Sequence, residues 1–512
     1  MRRNRNVHGE KSPHGANLTR RGLLQRAGWV AAATAFPGTL VFGADTVDSS
    51  SVGANNVSPV MARLSAYMSE ARGRALPDAV VEITKHHILD TIAAMVSGAT
   101  LPPGRAILRF AVAYGGQPPC TIVSSKLLCG PIEAALVNAN LAHSDETDDS
   151  HAPSLSHPGC DVIPATLAAG ETFGVGGTQF LRAVALGYDV GTRVTMTLGG
   201  GKTANAYQFE EHRSTHSISG IFCAAAAAAS AAGLDARQMR WVLDYTAQQS
   251  SGIAAWQRDT DHIEKGFVFA GMGARSGVTA ALLVQSGWTG VDDIFSGPDN
   301  FFMAYQPKAD PAGLVDQLGE RYEVTRTNIK KWTVGSPIQA PLDALEIILR
   351  KHPFSSGDVK EVIVRAPKSE ASIVNNRDIP DICLQYMVAV MLLDKTASFA
   401  AAHDKPRMSD PAVLRERAKV QLIGDDELEA RLPRREAIVE VTLNDGTTLS
   451  EHVTAVRGTA ENPMPREEVV AKARDLMAPV LGAANTATLI EKVLSLENVK
   501  DIRELRSLLQ RS

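Results

Sequence analysis

The run His143-Ser144-Asp145-Glu146-Thr147-Asp148-Asp149-Ser150-His151, followed by His157-Pro158-Gly159, puts four carboxylates and three histidines within fifteen residues. Crowded like charges resist simultaneous ionisation and imidazole titrates near neutrality, so such a cluster can separate a general acid from a general base. Two other readings start from the same residues. The run reads as a solvated acidic loop, or as a cation site, since Asp and His ligate hard ions and zinc, although the spacing matches no defined metal motif. Arg275, just before an apolar run that starts at Gly277, is an anion-binding candidate at a helix start or an ordinary surface charge.

Helices must hold this cluster in place. Leu76-Pro77-Asp78 is a start signal, and Val81, Ile88, Ile92 and Val96 then recur at near-helical spacing up to Gly98. Similar patterns predict helices over 130–141, 164–172, 178–193, 222–232 and 277–287, with Ala and Gly where helices would meet closely. The alanine run 224–229 reads as a packed core helix, because it is too short and its side chains too small for a membrane span. After about residue 325 the pattern changes. Residues 359–365 alternate like a strand, and 437–443 and 447–453 flank Asn444-Asp445-Gly446 as a hairpin. An apolar helix is expected over 384–393, and helix returns from 467 to the end.

At 512 residues the chain favours two domains, or one large domain with an insertion. A formal net charge of -4, with 21% charged and 44% hydrophobic residues, describes a soluble globular protein without the basic field that nucleic acid requires. The five cysteines are dispersed, with no C-x-x-C pair, which argues against a disulfide framework or a zinc ribbon. No P-loop or dinucleotide fingerprint occurs, so no cofactor is expected. The N-terminus is distinct. Thr19-Arg20-Arg21-Gly22-Leu23-Leu24 precedes a weakly apolar stretch over 27–42, the pattern of a twin-arginine (Tat) export signal. Cleavage near Gly43 or Ala44, or retention as an uncleaved anchor, would follow, with the protein periplasmic.

The His143–His157 run resembles the H-A-L-D-x-D-D-T-H…H-P motif of the MmgE/PrpD family. Ile88-Leu89-Asp90-Thr91-Ile92, Gly187-Tyr188-Asp189-Val190 with Arg193, the small-residue segment from Gly220 to Leu234-Asp235, Lys330-Lys331-Trp332, and Gly458 with Asn462-Pro463 resemble further family elements in the same order, so the likeness covers about 58–512. The resemblance implies a mainly α protein: a large all-helical domain made from both chain ends (58–325 and 461–512), an inserted α+β lid domain (326–460), and a homodimer. A signal segment (1–44) and a linker (45–57) precede it. It also implies a cofactor-independent lyase or isomerase acting on a small di- or tricarboxylic acid by proton abstraction α to a carboxylate, as in 2-methylcitrate dehydration, cis-aconitate decarboxylation or iminodisuccinate epimerisation.

By that likeness the family's active-site Asp falls on Glu146, its Thr on Ser150 and its H-P histidine on His157. Its second histidine falls on Ser214, with His216 two residues on, and its lysine on Gly266, with Lys265 adjacent. Its lid histidine falls on Gln339 and its tyrosine on Trp332. Glu146, His157, His216 and Lys265 are therefore the expected catalytic groups. Ser150, Asp149, Arg275 and Gln339 are expected to bind substrate, although Asp148 and Asp149 also suit the holding of a loop or a helix cap. The expected site has no metal, the only partner is a small polycarboxylate, and no membrane contact is expected beyond export. Gln339, Ser214 and the displaced lysine also motivate a different class, a non-catalytic periplasmic carboxylate-binding protein that keeps the fold. A metal-dependent hydrolase on the His143–His157 cluster is a third. If Arg20 and Arg21 direct export, changing both to lysine traps the protein in the cytoplasm on fractionation, and an unchanged location contradicts the Tat reading.

Overall fold

The computed structural model describes residues 57–199 and 204–511, with the side chains of 205, 206 and 209 excepted. The twin-arginine segment therefore lies outside the described residues. What is described is mainly α-helical.

At the centre is the helix Thr215–Ala232, in which every residue but Ala232 is buried. Its start is set by Ser214, whose hydroxyl accepts from the Ser217 amide at 3.3 Å, and its end by Gly233 in the left-handed region at φ 71°. Alanine has the highest helix propensity and the smallest side chain that keeps one, so this helix can be enclosed on all sides. It packs on Gly159–Phe173, Gly177–Leu198 and Met272–Gln285. The approach is close enough to need glycine: a Cβ on Gly277 would lie 2.5 Å from the Ala225 nitrogen. Thr215–Ala232 and Ile263–Gln285 are long and apolar enough to cross a membrane, yet 94% and 72% of their windows are buried inside the protein, as core helices are.

Two apolar clusters organise the rest. The first draws on residues from Met61 to Ile329 and again from Met464 to Leu509, so both ends of the described chain build it. The second runs from Trp332 to Val456. It contains the helices Ser336–Lys351 and Leu384–Asp394 and most of the sheet. A small pair, β1 (Cys120–Thr121) and β2 (Leu128–Cys129), belongs to the first cluster. The larger sheet has the order β4-β3-β5-β6, with β3 Val359–Pro367, β4 Val420–Asp425, β5 Ala437–Leu443 and β6 Thr448–Val453. The expected hairpin is β5–β6, turned at Gly446 with φ 90° and braced by Asp445 Oδ1, which accepts from the Thr447 amide at 2.9 Å. β4 pairs parallel to β3 and was not expected. It is a partly exposed edge strand whose burial does not alternate cleanly, so its sequence carries no period-two signal.

Polar contacts hold the 143–151 run, one of them from the second cluster. Ser150 and Asn328 exchange backbone hydrogen bonds at 3.0 and 2.8 Å. Lys472, on the helix Arg466–Leu481, donates to the Thr147 carbonyl at 2.9 Å and pairs with Asp90 at 2.7 Å. From the second cluster His403 Nε2 reaches Asp145 at 2.9 Å. Burial alone would push the His403 imidazole down, but the bond and charge of Asp145, with Asp381 nearby, outweigh it and hold the ring at about 9. The folded value lies above the ordinary 6.5, so this contact stabilises fully below pH 6.5 and is lost as pH rises through 9. Between pH 6.5 and 9.5, the loss in unfolding free energy should exceed that of His403→Gln by on the order of 3 kcal/mol at most. Equal slopes in denaturant titrations of the two proteins would contradict it.

Candidate active site

The run from His143 to His151 joins the helix Pro131–Ala142 to the short turn Ala152–Ser154, and every residue in it is buried. This corrects the reading of a solvated acidic loop. Buried carboxylates need partners, and those here have them, Lys330 being shared by two. Glu146 takes the ammonium of Lys265 on Oε1, while Lys330 lies 3.3 Å from Oε2 and donates to the Glu146 carbonyl at 2.8 Å. Asp148 sits between two imidazoles, His143 Nδ1 at 3.0 Å and His157 Nδ1 at 3.3 Å, with Lys330 at 3.8 Å. Asp149 accepts from Tyr188 Oη at 2.5 Å and the Gly159 amide at 2.9 Å, and pairs with His87 at 2.9 Å.

Burial would raise the Glu146 carboxyl, but the charges of Lys265 and Lys330 hold it well below the usual range. Asp148 is likewise held well below, against burial, by His143 and His157. The imidazoles move the other way. Burial pushes His157 down to about 4 and His216 well below its ordinary value. Near pH 7 Glu146 and Asp148 are thus carboxylates, while His157 and His216 are neutral. A neutral imidazole can take a proton, and Asp148 behind His157 favours the charged ring once it has done so.

A second chain segment completes the cleft. Between Ile263–Gly266 and Met272–Gln285 the helix makes a π-turn over Phe267–Gly271, which carries Phe269 into the site. Phe269 stacks on His216 with centroids 3.7 Å apart and on His143 at 4.8 Å, and meets Trp256 edge-on at 4.6 Å. The Lys265 ammonium lies 4.9 Å from the Phe269 ring and 5.5 Å from Trp256, so it is held by aromatic faces as well as by Glu146. His157 and His216 are neighbours at 5.2 Å. The resulting cleft of about 190 Å³ is lined by Glu146, His157, His216, His262, Lys265 and Phe269, and closed by Gly335–Pro337, Ile379 and Ile382 from beyond residue 331. Gly335 and Ser336 begin the helix Ser336–Lys351, whose N-terminus favours negative charge.

The structure thus brings Glu146, His157, His216 and Lys265 to one cleft. The other four lie elsewhere. Ser150 and Gln339 line a neighbouring cavity of about 290 Å³ with Arg326, Arg434 and Arg457, separated from the cleft by Ser336 and Arg435, which line both. Gln339 also braces its own segment, accepting from the Trp332 amide at 3.0 Å and donating to the Val334 carbonyl at 2.9 Å. Asp149 lies beneath the cleft, where its bond to Gly159 fixes the start of Gly159–Phe173. Arg275 is exposed, lines neither cavity, and its guanidinium lies 6.0 Å from the Phe267 ring. Sequence reading did not select Lys330 or His262 for the site. Lys330 is 184 positions from Glu146, and only its place beside Lys331-Trp332 marked it at all.

Two groups of ligand atoms lie within 4.8 Å of one another: those of His143, Glu146 and His262, and those of His143, Asp148 and Cys160. Neither suits a cation well. Glu146 already carries two ammonium groups, and burial pushes the Cys160 thiol far up, away from the thiolate that binds metal.

Comparisons with known proteins find a family and relatives. The MmgE/PrpD N-terminal domain model matches residues 62–313 and the MmgE/PrpD C-terminal domain model matches 332–498. A cis-aconitate decarboxylase of Aspergillus terreus is 24% identical over 492 residues, covering 90% of this chain and 97% of that protein. A cis-aconitate decarboxylase of Homo sapiens is 25% identical over 460 residues, covering 85% and 91%. Replacing Glu146 with Gln leaves two largely buried ammonium groups without their shared carboxylate, which should cost roughly 3–5 kcal/mol of unfolding free energy. A loss below about 1 kcal/mol in chemical denaturation would show that the charges are compensated elsewhere.

Proposed function

The chain belongs to the MmgE/PrpD family, and on that premise we propose that it is a lyase acting on a small tricarboxylic acid, with cis-aconitate the first substrate to test. The observation that carries the reading is the convergence of Lys265, His157 and His216 on one cleft with Glu146, although Lys265 and Glu146 are 119 positions apart. A tricarboxylate needs cationic and N–H donors for its carboxylates, and an exchangeable proton near the carbon that reacts. Lys265, the start of Ser336–Lys351 and the imidazoles supply the first. His157, backed by Asp148, supplies the second.

Decarboxylation breaks the bond from a carbon to its carboxylate, releases carbon dioxide and leaves an electron pair that a remaining carboxylate or double bond delocalises. As carbon dioxide leaves, the carbon takes up one proton: His157 or His216, neutral at rest, takes that proton from solvent as the substrate anion binds, passes it to the carbon and returns to neutral, while the Lys265 ammonium opposes the negative charge that builds up. Dehydration or epimerisation would use the same groups, with loss of a β-hydroxyl or reprotonation on the other face replacing loss of carbon dioxide. In this reading 326–460 acts as a lid on a helical domain made from 58–325 and 461–512, the protein works as a homodimer, and Arg20-Arg21 send it to the periplasm; the second apolar cluster and the twin-arginine pattern support the first and last of these.

Turnover of a panel of tri- and dicarboxylates, including cis-aconitate and 2-methylcitrate, tests the proposal. His157→Ala should lower turnover by about a hundredfold or more, and Lys265→Ala should raise KM about tenfold. Full activity in both variants would contradict these assignments, and binding of the panel without turnover by the unaltered protein would favour a non-catalytic carboxylate-binding protein.

A further inference from the structure

His262 is out of place as a structural residue. It is 4% exposed, and among the described residues neither of its ring nitrogens has a hydrogen-bond partner. A buried imidazole without partners gives up the hydrogen bonds it makes to water when unfolded and gains none in return. Its backbone is also in the left-handed region, at φ 65° and ψ 9°, where a non-glycine residue is strained. Neighbouring side chains enforce this conformation. Asp261 Oδ1 accepts from the Ile263 amide at 3.1 Å, and Asp259 Oδ2 accepts from the Lys265 amide at 2.8 Å, so the turn before Ile263–Gly266 is fixed on both sides of the histidine. The strained turn presents His262 to the same cleft as Lys265, with its ring 5.1 Å from His143. Among the described residues the Nε2 of His143 is likewise without a partner, while its Nδ1 pairs with Asp148.

We propose that His262 is a substrate-contacting residue: when a small polycarboxylate fills the cleft, one of its carboxylates accepts a hydrogen bond from the His262 ring, beside the Lys265 ammonium. This rests on the reading of the cleft as a tricarboxylate site. The bound anion supplies what the empty site lacks, a partner for the buried imidazole, and the strained turn places the ring in advance of binding. Neutral at rest, because burial and then the Lys265 charge push it down to about 3, His262 can donate from one nitrogen without competing with Lys265 for Glu146.

The test is His262→Asn, chosen because asparagine tolerates the left-handed backbone, so the variant should melt at the same temperature as the parent or slightly above it. Binding of cis-aconitate and of citrate to the whole protein is measured by calorimetry, together with turnover of cis-aconitate. The expected result is binding of both acids weakened by about ten- to a hundredfold with an unchanged melting temperature, and kcat/KM reduced to match wherever turnover is seen. Unchanged affinity in the variant overturns the proposal. So does failure of the parent to bind either acid, or a stoichiometric metal held by the parent and lost from the variant, which would make His262 a ligand with His143 and Glu146. Binding without turnover in the parent sinks the lyase reading alone and leaves the role of His262 to be decided by the affinities.

Discussion

The buried Glu146 carboxylate, shared between the ammonium groups of Lys265 and Lys330, is the interaction on which the site depends. Three elements distant in sequence meet at it: the loop after Pro131–Ala142, the short helix Ile263–Gly266, and the segment before Ser336–Lys351. A charge placed so deep is costly unless it is paired, and each ammonium is costly without the carboxylate. The three groups are therefore mutually obligate. Their pairing brings Lys265 under the aromatic faces of Trp256 and Phe269 and keeps Lys330 between Glu146 and Asp148.

Around that centre the fold sorts acids from bases by environment. Glu146 and Asp148 are surrounded by ammonium and imidazole groups and stay ionised, while His157 and His216 on the cleft side lose water and stay neutral. A buried carboxyl with no cation beside it behaves in the opposite way: burial raises Asp161 well above its ordinary range, with the charge of Asp148 adding to the effect. Neighbouring acids are thus held in different protonation states, which is what a proton-transferring site requires. The core that carries them is built for rigidity: small residues along Thr215–Ala232 let three helices close on it, and the π-turn at Phe267–Gly271 is the local departure that delivers Phe269.

Much of this was legible in the sequence for physical reasons. The helix Asp78–Gly98 shows a start signal and a 3.6-residue period, and β5 and β6 alternate about a turn that needs glycine. The density of acids and histidines marked the loop, because few other roles need so many ionisable groups together. Lys265 and His216 were placed by resemblance and meet Glu146 and His157 in space. What sequence could not supply was depth and long-range pairing. Nothing local distinguishes a solvated Asp-Glu run from one buried under Lys472, Lys330 and His403. Gln339 and Ser150 face a neighbouring arginine-lined cavity because Ser336 and Arg435 stand between, which depends on how the two apolar clusters are set against each other. His262 was invisible for a different reason: its backbone conformation comes from Asp259 and Asp261, and an Asp-rich turn gives no sign of which ring it will bury.

The neighbouring cavities make the account decidable, since both could attract an anion and only one holds the imidazoles. A crystal structure of the protein soaked with cis-aconitate is the most direct measurement. The account predicts the tricarboxylate in the cleft, with one carboxylate on Lys265 and its carbon skeleton beside His157 and His216. Density for the acid in the cavity of Arg326, Arg434 and Arg457, with the imidazole cleft left to solvent, would contradict it.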